Sequence, residues 1–153
     1  MKETELLGKA GTLIANLDCF GDEDGLPIHA DNYCLANFDR FLYAHRHPPR
    51  GCLKTMMIFR TDDPSSCSIV ELDQRGVVVG FHEKVQSPPR NLANGAVYVL
   101  STELLERLGK NLRSVKDFNT GVLHRLWGQA CTYHIAEVFF DAGTPEAYEA
   151  AND

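Results

Sequence analysis

Leu26-Pro27-Ile28-His29-Ala30-Asp31-Asn32 and Val138-Phe139-Phe140-Asp141-Ala142-Gly143-Thr144-Pro145 are two apolar runs that each end on an aspartate. An acid at the C-terminal end of a buried strand, just before a helix, sits where open α/β sheets bind ligands. Two such carboxylates brought together can hold a hard divalent cation such as Mg²⁺, which bridges phosphate oxygens. Taken singly, Asp31 and Asp141 are more simply read as caps of the helices that follow them. The motifs between them decide the matter.

Working outward from these runs, residues 10–20 read as a helix with Leu13, Leu17 and Phe20 on one face. The acids of Gly21-Asp22-Glu23-Asp24-Gly25 read as a solvated loop. A buried strand over 26–30 gives way, at Asp31 or Asn32, to a helix over 33–46 that places Leu35, Phe38 and Leu42 at helical spacing. His45 and His47 fall at the end of that helix, where a metal site is the weaker reading. A strand at 53–59 precedes a hairpin of 68–72 and 77–84, turned by Asp73-Gln74-Arg75-Gly76. Another strand covers 95–100, Ser101 caps a helix over 102–108, and a second helix spans about 117–127 with Val122 and Leu126 inward. Strands at 131–136 and 138–141 follow, and Thr144-Pro145-Glu146 opens a last helix with cap, proline and first-turn acid in order. Mixed strands and helices with short connections predict one α/β domain over 1–153.

Composition narrows the partners. The 153 residues carry a formal net charge of −6, which argues against a sequence-independent hold on nucleic acid. No apolar run is long enough to span a bilayer, and no charged-then-apolar leader opens the chain. Five widely spaced cysteines with no C-x-x-C fit reduced thiols in a cytoplasm, most of them small core residues, rather than a disulfide framework or zinc site.

Four landmarks then occur in a familiar order: Leu7-Gly8-Lys9-Ala10-Gly11-Thr12-Leu13; His29-Ala30-Asp31-Asn32; Gly80-Phe81-His82-Glu83-Lys84 with Asn91-Leu92-Ala93-Asn94-Gly95-Ala96-Val97-Tyr98; and Phe140-Asp141-Ala142-Gly143-Thr144-Pro145-Glu146-Ala147-Tyr148. Together they resemble the sugar-1-phosphate nucleotidyltransferases, in the mannose- or heptose-1-phosphate guanylyltransferase-like branch. The resemblance implies that a sugar 1-phosphate attacks the α-phosphorus of a nucleoside triphosphate, GTP in this branch, giving a nucleotide sugar and pyrophosphate. It implies that Asp31 and Asp141 hold Mg²⁺, that Lys84 contacts the sugar phosphate, and that Glu83 accepts hydrogen bonds from sugar hydroxyls. Ala93, Asn94 and Gly95 would lie against the sugar, and Gly8, Ala10 and Gly11 against base and ribose, where small residues let backbone approach a ligand.

The chain also departs from the pattern. The family's glycine-rich loop, G-x-G-T-R, with the proline-lysine segment after it, has no counterpart in these residues. Lys9 stands where threonine is usual, Ser68 where glycine is common, and Gly121 and His124 replace an acid and a proline. The resemblance therefore implies a Rossmann-like nucleotide-diphospho-sugar transferase sheet with helices on both faces, lacking its first β-α units. The strand at 26–30 would present an open edge, because its parallel neighbour belongs to those units. Such a chain is expected to be inactive alone, and to self-associate or to take the missing strands from a partner. The alternative is a non-catalytic sugar-phosphate-binding or interaction subunit.

Overall fold

The computed structural model describes residues 7–111, 128–136 and 139–150. Helix α1 (Gly8–Ala15) runs into a 3-10 turn at Leu17–Phe20. Strand β1 (Asn32–Cys34), helix α2 (Phe38–Arg46), strands β2 (Lys54–Arg60), β3 (Ser68–Leu72), β4 (Val78–Glu83) and β5 (Leu92–Leu100), helix α3 (Thr102–Asn111), strands β6 (Ala130–His134) and β7 (Phe139–Asp141), and helix α4 (Pro145–Ala150) follow. Five strands form one sheet in the order β4-β3-β5-β2-β6, and β1 with β7 forms a separate two-stranded ribbon. Among the described strands, only β6 runs parallel to its neighbour, β2; the other pairs are antiparallel.

The sheet is covered on both faces, as the alternation of its central strands requires. On β2, Met56 and Ile58 face one way and Met57 the other; on β5, Tyr98 and Leu100 oppose Val97 and Val99. The first face packs on Leu104, Leu105 and Leu108 of α3 and on Ala10 of α1. The second packs on Phe41 of α2, with Ala36 and Ile135. Helix α3 is fixed at its start by Ser101, whose Oγ accepts from the Leu104 N–H at 3.2 Å. Asp24 reinforces it from a distance: its Oδ1 accepts from the Thr102 N–H at 2.9 Å and from the Thr102 hydroxyl at 3.1 Å.

Several elements differ from the sequence reading for identifiable reasons. The helix expected over 33–46 starts at Phe38, because the Asn37 side chain accepts from Arg40 N–H at 3.0 Å and caps it there, while 32–34 are drawn into the ribbon. The first helix stops at Ala15 instead of continuing to residue 20. The run at 26–30 forms no regular strand; it lies antiparallel along the end of β5 through isolated bridges at Gly25–Leu100 and Ile28–Val97. The acidic loop is not wholly solvated. Asp24 Oδ2 lies 3.5 Å from Nε2 of His45, whose Nδ1 is 2.8 Å from the Thr55 hydroxyl. Burial holds the His45 imidazole below its ordinary pKa, against the opposing pull of Asp24, so this histidine ties α2 to β2 as a neutral core group. Of the five cysteines only Cys131 is buried, and Cys19 is exposed. The helix expected at 117–127 lies outside the described residues.

The feature that shapes the functional face is an irregularity in β5. It pairs with β2 as Met56–Tyr98 and then as Ile58–Asn94, so Gly95, Ala96 and Val97 oppose Met57 alone. Ala96 takes a left-handed φ of 50°. The Asn94 carboxamide holds the bulge from inside: its Oδ1 accepts from Ala96 N–H at 3.0 Å and its Nδ2 donates to the Tyr98 hydroxyl at 2.8 Å. Asn32 holds it from outside, donating from Nδ2 to the Gly95 carbonyl at 2.9 Å.

A left-handed alanine costs about 1–2 kcal/mol, more than the roughly 0.4–1 kcal/mol that glycine adds to the unfolded state's freedom. Ala96→Gly is therefore expected to raise the urea midpoint of unfolding, and Ala96→Val to lower it. A midpoint lowered equally by both would show that the bulge does not hold residue 96 in the left-handed region.

Candidate functional site

The bulge walls a cleft of about 170 Å³ lined by Lys9, His29, Asn32, Phe59, Ser66–Ser68, Glu83, Lys84, Asn94–Ala96 and Phe139. Seven chain segments meet there, Lys9, Phe59 and Ser66–Ser68 among them. The hairpin end supplies Glu83 and Lys84, β5 supplies the bulge, the segment before β1 supplies His29, the first residue of β1 is Asn32, and β7 supplies Phe139. Phe139 stacks on Phe59 with ring centroids 4.5 Å apart, giving the cleft an apolar wall.

Lys84 is placed by backbone geometry. Strand β4 ends at Glu83, directly opposite Ser68 in register. Lys84 then turns with φ 46°, its N–H donating to the Cys67 carbonyl at 3.2 Å. Lys84 and Ala96 are the non-glycine residues with positive φ among the described residues, and both line this cleft. Strained backbone of this kind persists where the surroundings over-determine it, and it concentrates at ligand sites. The neighbouring loop is held by short-range bonds: the Ser65 hydroxyl donates to Asp63 Oδ1 at 2.7 Å, and the Ser66 hydroxyl to the Asp63 carbonyl at 3.0 Å.

Gly95 cannot carry a side chain without displacement. A Cβ there would sit 3.1 Å from the Met57 carbonyl oxygen and 3.3 Å from the Phe139 ring. Gly95 is buried, and the absence of a Cβ is what lets Met57 and Phe139 close on its backbone at the wall of the cleft. Tyr98, below the bulge, is fully buried, and burial pushes its phenol well above the ordinary range, so it stays a neutral partner for Asn94.

The two aspartates arrive by way of the ribbon. Asn32 pairs with Asp141 in register, and the Ala142 N–H donates to the Asp31 carbonyl at 2.8 Å. The main chains of Asp31 and Asp141 are therefore adjacent at the end of the ribbon, beside the cleft residue Asn32. Asp31 is exposed. Oxygen donors of this kind suit a hard cation that keeps most of its ligands as water or phosphate oxygens. Among the described residues no three His, Cys, Asp or Glu side chains converge as a cage.

The other expected residues are distributed differently. Glu83, Lys84, Asn94 and Gly95 line the cleft together. Ala93 does not; it is fully buried between Phe59 and Ile69 of the adjacent strands. Ala10 is also fully buried, packed in the core beneath α1. Gly8, with φ 70°, begins α1, and Gly11 faces a separate cavity of about 1000 Å³ between α1 and α3. Asn32, His29 and the Phe59–Phe139 pair were not singled out by sequence reasoning. Asn32 was legible only as a helix starter, and the aromatic pair only as strand residues.

Comparisons with known proteins give the family. The family described as nucleotidyl transferase matches residues 1–153. A protein named putative mannose-1-phosphate guanyltransferase, from Sulfolobus acidocaldarius, is 28% identical over 98% of this chain and 41% of its own length. One named probable mannose-1-phosphate guanylyltransferase 2, from Oryza sativa subsp. japonica, is 31% identical over 70% of this chain and 30% of its own length. Among solved structures, HddC from Yersinia pseudotuberculosis complexed with GMP-PN superposes with a TM-score of 0.81 at 20% identity, covering 99% of this chain and 64% of that one. The chain thus spans 41% or less of these two curated relatives. No helix among the described residues is long and apolar enough to cross a membrane. With a sheet covered on both faces, a cleft at the strand ends and a family match along its whole length, the chain belongs to the nucleotidyl transferase family.

Proposed function

We propose that this cleft is the sugar-phosphate side of a nucleotidyl-transfer site. The observation that carries the reading is the meeting of the Glu83–Lys84 strand end with the Asn94–Ala96 bulge, where both left-handed non-glycine residues lie. Lys84 faces the phosphate of a sugar 1-phosphate, Glu83 accepts from sugar hydroxyls, and the Asn94–Ala96 bulge lies against the ring. The reaction is attack by a phosphate oxygen of the sugar 1-phosphate on the α-phosphorus of a nucleoside triphosphate. The bond from that phosphorus to the β-phosphate bridging oxygen breaks, and pyrophosphate leaves. Asp31 and Asp141 would hold Mg²⁺, which when bound offsets phosphate charge. The relatives' names favour mannose 1-phosphate and GTP over other sugars and bases, with a heptose 1-phosphate as the alternative sugar. A reduced, cytoplasmic setting fits the five free thiols.

We propose further that a second polypeptide segment completes the site. Gly25, Pro27 and His29 bond to β5, so the backbone groups of Leu26, Ile28 and Ala30 point away from it, and no hydrogen bond among the described residues uses them. The Leu26 and Ile28 side chains are 37% and 46% exposed beside this edge. Open backbone beside apolar side chains is a template for an added strand. The segment bound there supplies the triphosphate contacts that G-x-G-T-R would make. Until then the chain binds the sugar phosphate without turning it over, which is also the reading of a non-catalytic binding module.

Calorimetric titration of the chain with mannose 1-phosphate and with GTP, each with Mg²⁺, tests the first proposal. Binding of the sugar phosphate, weakened by Lys84→Met and by Glu83→Gln, is expected; tight GTP binding without sugar-phosphate binding would contradict it. Sedimentation tests the second. Self-association that Leu26→Lys with Ile28→Lys relieves is expected, and a wild-type monomer that unfolds cooperatively would argue against an edge in need of a partner.

A further inference from the structure

We infer that Lys9 is a second cationic contact for the phosphate held in the cleft, and that with Lys84 it selects a phosphate monoester dianion over a neutral sugar. The inference rests on the sugar-phosphate reading of the site and adds a residue to it.

The charge pattern of the surface is the first ground. The cavity of about 1000 Å³ between α1 and α3 is lined by Asp18, Asp22 and Glu106 against Lys110. A second, of about 450 Å³, is lined by Asp22, Glu23 and Asp24 against Arg46. Both are net negative, as expected for a chain of net charge −6. The cleft of about 170 Å³ differs: among the described residues that line it, two are lysines, Lys9 and Lys84, and one is an acid, Glu83. Neither lysine forms a salt bridge with any described residue. Two cations that line one small cleft repel each other, and an anion between them relieves that repulsion.

The second ground is where Lys9 stands in its helix. Gly8, at φ 70°, turns the chain so that Lys9 falls in the first turn of α1, a turn that carries no acid and no side-chain cap. A cation there opposes the helix dipole, which favours acids at that end. Helix stability thus gives no reason for lysine at this position, and a local rule broken without local gain points to a site. An anion in the cleft supplies the missing compensation, since it is attracted by Lys9 and Lys84 together.

The test is calorimetric titration of wild type, Lys9→Met and Lys9→Arg with mannose 1-phosphate, inorganic phosphate and mannose. Lys9→Met is expected to weaken mannose 1-phosphate and phosphate by about tenfold or more, the usual scale for a lost charge-assisted contact. It should leave any mannose binding unchanged and, being a surface change, leave the unfolding temperature unchanged or slightly raised. Lys9→Arg should stay within about threefold of wild type, because it keeps the charge. Equal affinity of wild type and Lys9→Met for mannose 1-phosphate would overturn the role of Lys9 and leave the sugar-phosphate site standing. Phosphate binding that depends on Lys9, with mannose 1-phosphate bound no better than phosphate, would uphold Lys9 and overturn the sugar-phosphate reading. Failure of wild type to bind either anion would overturn both.

Discussion

Strand β5 has to serve more neighbours than a regular strand can. Along one edge it pairs with β2; along the other it meets β3 at Ala93 and the Gly25–His29 segment from Ala96 onward. The two demands are met by breaking the strand in the middle, with Gly95, Ala96 and Val97 set against Met57. The break bends β5, sets Gly95 against the Phe139 ring and opens the cleft. Its cost, a left-handed alanine, is offset by three side-chain hydrogen bonds from Asn94 and Asn32. The cleft is therefore a consequence of sheet topology and not an addition to it.

The β1–β7 ribbon depends on the same bulge. Asn32 ties one of its strands to the Gly95 carbonyl, and Phe139 on the other lies against Gly95 and stacks on Phe59. Through this ribbon the two strand-end aspartates reach the cleft side of the sheet, although they stand 110 positions apart in sequence (141 − 31). Away from the cleft, the opposite end of β5 is anchored by Asp24 and His45, which link the acidic loop to α3, α2 and β2. A loop that composition alone marks as solvent is in this way part of the frame that holds Leu26–Ala30 along the strand.

Much of this was legible in the sequence, and the exceptions have physical causes. The hairpin, β2, β6, α3 and its Ser101 cap follow from periodicity and turn chemistry, which are local signals. The cluster of Glu83, Lys84, Asn94 and Gly95 followed from the resemblance, and the cleft gathers those four residues. What local signals could not reveal was the competition for residues 26–37. Leu35 and Phe38 fit a helical period, but residues 32–34 pair with β7 in a ribbon, so Leu35 falls outside the helix, which Asn37 caps and Phe38 begins. Ala93 and Ala10 sit in the core because their neighbours on the strand and helix point to the cleft, an alternation of faces that a contiguous motif hides. The cysteines show the same limit: residue type suggested burial, yet only Cys131 is buried.

The central claim is that the bulge of β5 makes the ligand site. Amide chemical-shift mapping of the isotopically labelled chain during titration with mannose 1-phosphate and Mg²⁺ tests it most directly. The account predicts that the largest shifts fall on Cys67, Ser68, Lys84 and Asn94 through Ala96. Shifts concentrated instead on Ile14, Leu17 and Leu105 through Lys110, around the larger cavity between α1 and α3, would contradict it.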